Sequence, residues 1–146
     1  MVVMNAVYTN AAGAQALAWC AEAAELLGMG DSTPALWKDI AGSPYLPLSS
    51  SLYERGPVHL QDATYTKGTE VNQAAVALLQ YPLGLTFGPT INQNDLDYYG
   101  SVTKFKGMFT GDAAYSCAYL ALGNRSLADR TLELAFSHIN PHFNVL

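Results

Sequence analysis

The stretch 7–27 constrains the fold of this chain more than any other. Val7, Ala11, Ala14, Leu17, Cys20, Ala24 and Leu27 recur at steps of three and four, so one long helix is predicted there. Alanine recurs between them, which favours helix and lets neighbouring helices approach closely on several sides. Gly28 and Gly30 end the run. Such a helix is stable in water only when other helices cover it, so the chain is expected to be a packed helical assembly.

Further helices follow from the same periodicity. Thr33 is a natural N-cap and Pro34 a natural first residue for a short second helix, with Leu36, Trp37 and Ile40 as its buried face. Residues 43–70 show no helical period and carry three prolines, two glycines and the run Ser49-Ser50-Ser51. A connection of that length without structure is uncommon in a compact domain and is usually functional. The stripe Val71, Ala74, Ala75, Leu78 and Leu79 predicts a helix over 71–80, stopped by Pro82 and Gly84. A short helix is expected over 94–99. Another is expected over 112–122, with Tyr115, Ala118, Tyr119 and Leu122 on one side. Ser126, with Asp129 three residues later, predicts a capping box opening a last helix of Leu127, Thr131, Leu134 or Ala135, and His138, ended by Pro141. No internal repeat is visible, and the fold class is all-α.

Composition narrows the function classes. Of 146 residues 50% are apolar and 13% charged, which argues against disorder. The formal net charge is −5, and the seven Lys and Arg are scattered, so no surface tracks phosphates and nucleic acid is not an expected partner. No apolar run approaches the roughly 20 residues of a membrane-spanning helix, and residues 1–5 have no basic flank or cleavage site. Cys20 and Cys117 lie in Ala-rich surroundings and read as buried thiols. A disulfide would need their Cα atoms within about 7 Å, a distance that sequence does not fix. Asn124-Arg125-Ser126 has the form of an N-glycosylation triplet. The apolar ends, closing on Phe143-Asn144-Val145-Leu146, lead to the expectation that a longer polypeptide is interrupted here.

The side chains that carry chemistry are few. His138 and His142 have i,i+4 spacing, but Pro141 lies between them, and neither cysteine nor carboxylate completes a set with them or with His59. No metal and no cofactor is expected; there is no nucleophile elbow, phosphate loop or dinucleotide fingerprint. Glu54, Asp62 and Glu70 are the loop carboxylates, and each is expected to be solvated or paired with Arg55 or Lys67. Asn72 and Gln73 are the better signal. Either they cap the helix predicted after them, or they face a pocket and bond hydroxyls, with Tyr65, Tyr81, Tyr98 and Tyr99 as aromatic platforms.

Three segments resemble glycoside hydrolase family 65. The first is Val3-Met4-Asn5-Ala6-Val7-Tyr8-Thr9-Asn10, similar to a stretch ending in Tyr-Thr-Asn that opens a barrel helix. The second, Val71-Asn72-Gln73-Ala74-Ala75-Val76-Ala77-Leu78-Leu79-Gln80-Tyr81-Pro82-Leu83, matches the block Lys-Gln-Ala-Asp-Val-Val-Leu-Leu-x-Tyr-Pro-Leu. The third is Asn94-Asp95-Leu96-Asp97-Tyr98-Tyr99, followed by a helix pair and Phe143-Asn144-Val145. The middle block is the specific one.

The resemblance implies an alpha/alpha six-barrel, of which this chain carries about half the helices, so that residues 1–146 are part of a catalytic domain. It implies inverting cleavage of a terminal α-glucoside, trehalose-like or glucosylgalactosyl-hydroxylysine-like, with the remainder of the barrel or a complementary chain as partner. Gln73 carries over as a substrate-binding residue, and Asn72 stands where the family has lysine. Ala75 replaces the family's aspartate, and Lys106-Gly107-Met108-Phe109-Thr110-Gly111 departs from the usual Gly-Pro-Ala-Met-Thr-Trp. Both catalytic carboxylates are expected before Met1 and beyond Leu146, leaving this chain alone inactive. A disaccharide phosphorylase of the same family is one alternative. A non-catalytic helical module that kept the scaffold is the other, favoured by Asn72 and Ala75.

Overall fold

The computed structural model of the chain describes residues 4–29, 32–104 and 109–137. Its described elements run α1 (Val7–Leu26), α2 (Thr33–Gly42), β1 (Leu48–Tyr53), β2 (Gly56–His59), α3 (Ala77–Gln80), α4 (Pro89–Val102), α5 (Phe109–Ala121) and α6 (Arg125–Phe136). The protein is mostly helical, and α1 packs on α2 as α5 packs on α6. His138, Pro141 and His142, the segment Phe143-Asn144-Val145, and Lys106 to Met108 of the altered stretch lie outside the described residues.

The all-α expectation needs one correction. The region 43–70 holds a two-stranded antiparallel hairpin, with Leu48 opposite His59, Ser49 opposite Val58 and Tyr53 opposite Gly56. The register shifts between Ser49 and Tyr53, so apolar and polar residues do not alternate cleanly and the strands leave little trace in sequence. Gly56 follows the turn at φ +134, and a Cβ there would stand 3.1 Å from Asn94 Nδ2, so α4 crosses the turn closely.

The core gathers on α4 and α5 and the segments they touch. Val7, Val58, Val76, Leu79, Leu96, Tyr99, Tyr115 and Ala118 are buried at its centre. Each large apolar side chain there contributes about 1.5–3 kcal/mol relative to exposure. The predicted face of α5 is the observed one: Tyr115, Ala118 and Tyr119 are buried. Burial pushes the Tyr119 phenol up to about 12, which keeps it a neutral hydrogen-bond donor, here to the Leu96 carbonyl.

Other expectations shift by a turn or a face. Residues 71–76 are not helical: Val71 forms a parallel bridge with Thr103, its N–H donating to the Val102 carbonyl and its carbonyl accepting from the Lys104 N–H. Long-range backbone bonds there outcompete local helix, and only the last turn of the predicted helix forms, as α3. Helix α4 is longer than predicted because Pro89 starts it a turn and a half before Asn94. Helix α6 is capped by Asn124, whose Oδ1 accepts from the Leu127 N–H, and not by Ser126. In α2 only Pro34 is buried, while Leu36 and Ile40 are exposed. Cys20 is exposed and Cys117 half-buried, and both thiols are free. α1 buries only the stripe Val7, Ala11, Ala21 and Ala24, which leaves Cys20 on the outer side.

Candidate functional site

The middle motif lies along a cavity of about 510 Å³ lined by Ala6, Gln61, Asp62, Tyr65, Thr69, Glu70, Val71, Asn72, Gln73 and Ala75. Its wall is built from three places in the sequence: the chain entering α1, the segment after β2, and residues 69–75. Both predicted site residues stand on it, Asn72 exposed and Gln73 half-buried. Neither caps α3, which begins at Ala77 without a side-chain cap. Among the described residues neither side-chain amide has a hydrogen-bond partner, so both retain their full donor and acceptor capacity.

The aromatic platforms divide. Tyr65 lines the cavity, with its hydroxyl donating to the Thr69 carbonyl at 2.7 Å. Tyr98 and Tyr99 are buried in the core instead, and Tyr81 is exposed and does not line this cavity. Tyr81 precedes Pro82 through a cis peptide bond.

Of the loop carboxylates, Glu54 is exposed as expected, while Glu70 and Asp62 take partners other than Arg55 and Lys67. Glu70 pairs with Lys104 at 2.7 Å, and Arg55 pairs with Asp97 at 3.4 Å. Asp62 accepts from both the backbone N–H and the hydroxyl of Thr64, a local turn that occupies one oxygen. Glu54 sits exposed in the hairpin turn. Among the described residues no group of three metal-ligating side chains is brought together, and no described helix is long and apolar enough to cross a membrane.

Linked to the cavity wall through Tyr99 and Gln61 is a polar lock that sequence did not single out. Asp95 accepts from the His59 N–H through Oδ1 and meets His59 Nδ1 through Oδ2, both at 2.8 Å. The two side chains are 1% and 5% exposed, and the Phe87 ring packs at a tilt of 57° with its centroid 4.3 Å from that of the imidazole. Burial lifts the Asp95 carboxyl above the ordinary carboxylate range, against the opposing pull of His59. Tyr99 then donates to the His59 carbonyl and accepts from the Gln61 N–H, each at 2.9 Å. Burial also raises the Tyr99 phenol, which holds it neutral in both roles. The signal for this lock was one buried histidine opposite one aspartate of the third motif, 36 residues apart, a pairing that only tertiary structure reveals.

No family model matches the chain, and no solved structure matches it. Among curated proteins, a protein-glucosylgalactosylhydroxylysine glucosidase of Danio rerio is 32% identical over 143 residues, 98% of this chain and 21% of that protein. Proteins of the same name from Mus musculus and Gallus gallus are 29% and 28% identical over 98% of this chain. The chain spans about a fifth of the length of these relatives. Along nearly its whole length it is therefore a relative of one part of the protein-glucosylgalactosylhydroxylysine glucosidases, and the relationship to glycoside hydrolase family 65 read from its motifs rests on that match.

Proposed function

We propose that this segment forms one wall of the sugar pocket of a glycoside hydrolase that removes a terminal α-glucose with inversion. The names of its relatives favour a glucosylgalactosyl-hydroxylysine-like substrate over a trehalose-like one. The observation that carries the reading is the pair of unengaged amides, Asn72 and Gln73, on the cavity beside Tyr65. A sugar hydroxyl both donates and accepts, and so does a carboxamide, without the desolvation cost of a charge. Gln73, half-buried, is the stronger contact because less water competes for it.

Inversion requires two carboxyls roughly 6.5–9.5 Å apart. Asp62 is engaged by Thr64 and Glu70 by Lys104, so both catalytic carboxylates are assigned to parts of the enzyme that this segment does not span. The six described helices, with α1/α2 and α5/α6 as packed pairs, match in number half of the twelve of an alpha/alpha six-barrel, completed by the remaining helices or by a complementary chain. A scaffold-only reading is favoured by one observation: Asn72 and Ala75 replace the lysine and aspartate of the family block.

The test is titration of D-glucose into the complete protein. Gln73→Ala is expected to weaken binding by about 1–3 kcal/mol with the fold intact. Unchanged affinity with unchanged stability removes Gln73 from the site and leaves the scaffold reading. The purified chain alone is expected to turn over no trehalose, maltose or kojibiose. Turnover abolished by changing Glu54, Asp62 or Glu70 would overturn the placement of the carboxylates.

A further inference from the structure

We infer that Gln61 is the positioning residue that aims Gln73 into the cavity, an inference that rests on the reading of Gln73 as a sugar contact. Residues 72–75 have no helix to hold them, because α3 starts only at Ala77. A side chain on such a segment points reliably only if its backbone is fixed from outside. Gln61 does this with both ends of one carboxamide: Nε2 donates to the Gln73 carbonyl at 3.2 Å, and Oε1 accepts from the Ala75 N–H at 2.9 Å. The two bonds bracket Ala74, which is buried, so the peptide on either side of it is held.

Gln61 is itself anchored on both sides of its peptide. Its N–H donates to the Tyr99 hydroxyl at 2.9 Å, and its carbonyl accepts from the N–H of Val7, the first residue of α1, at 3.1 Å. Gln61 thus ties together α1, the exit of the hairpin, α4 and the motif. Each end of its amide is engaged by the backbone of residues 73–75, and it is through Gln73 that it is placed to act. The reach of a glutamine is required: asparagine is one methylene shorter and would not span to both groups from the same backbone position.

The experiment uses the complete protein and D-glucose. Gln61→Met keeps the length of the side chain and removes both hydrogen bonds, and Gln61→Ala removes the side chain altogether. Each is expected to weaken glucose affinity about threefold to tenfold, the scale of one or two lost net hydrogen bonds. For α-glucoside turnover the effect should fall on KM more than on kcat. Amide exchange at Ala75 should accelerate in both variants. Gln61→Glu, which keeps the acceptor for the Ala75 N–H but sets an oxygen against the Gln73 carbonyl, should restore protection at Ala75 without restoring the affinity. If one variant does not fold, the other carries the test. Wild-type glucose affinity in the folded Gln61 variants, alongside weakened binding in Gln73→Ala, overturns the inference alone. Wild-type affinity in Gln73→Ala as well overturns it together with the reading on which it rests.

Discussion

The hairpin–α4 region and the α1–α2 region are of similar size and are held in opposite ways. Around α4 the apolar core encloses a connected set of polar groups: Asp95, His59, Tyr99 and Gln61 join two segments, the exit of the hairpin and α4, through bonds of 2.8–2.9 Å. Gln80 is also buried there, donating to the Asn92 carbonyl, while Asn92 Oδ1 accepts from the Phe87 N–H. On the other side, α1 packs on α2 with little burial, and of α2 only Pro34 is buried. Trp19, Leu26, Leu27, Leu36 and Ile40 remain at least half exposed, Leu26 at 89%. The ion pair joining the two helices, Lys38 with Glu25, lies in solvent. One region has satisfied its own polar groups and closed its core. The other leaves several of its large apolar side chains in solvent.

Three substitutions sharpen or break this contrast. The largest effect is expected from Asp95→Ala. It leaves the His59 N–H and ring nitrogen without their buried partner and should cost about 2–6 kcal/mol, the sum for two unmet buried groups. Hydrogen exchange of the α4 amides would report it, and a loss below about 1 kcal/mol would mean that the lock is incidental to the core. Tyr99→Phe is next, at about 1–3 kcal/mol, since it strands the Gln61 N–H and removes a bond to the His59 carbonyl while preserving the ring. Its signature is faster exchange at Gln61, with the core packing around Leu96 unchanged. Glu25→Gln should be the smallest, within about 0.5 kcal/mol, because an exposed pair gains little over hydration. Denaturant unfolding that showed a loss comparable to that of Tyr99→Phe would erase the difference between the two regions.

How far each region was legible follows from the same contrast. α1 was read almost to the residue, because a long alanine-rich stripe with glycine after it specifies helix locally. The buried face of α5 was read for the same reason. The hairpin was not read: its serines and shifted register hide the period of two, and its pairing was set by α4 crossing over Gly56. The helix over 71–80 was read too long, because Val71 found partners at Val102 and Lys104, some thirty residues away. Asn72 and Gln73 were legible as unusual amides in an apolar block. Gln61 and the His59–Asp95 pair were not, since each acts through a partner distant in sequence.

By itself, then, the sequence determined that most of the chain is helical, that charge is sparse, and which block carries the family likeness. Those properties reside in neighbouring residues and need no third dimension. Tertiary structure alone decided that two amides of that block stay unpaired on a cavity and that Asp95 is spent on His59. It also decided that a predicted helical turn gives way to a bracketed strand-like segment. Each of those outcomes is a competition between a local hydrogen bond and a distant one, and only the folded chain brings the distant partner within 3 Å.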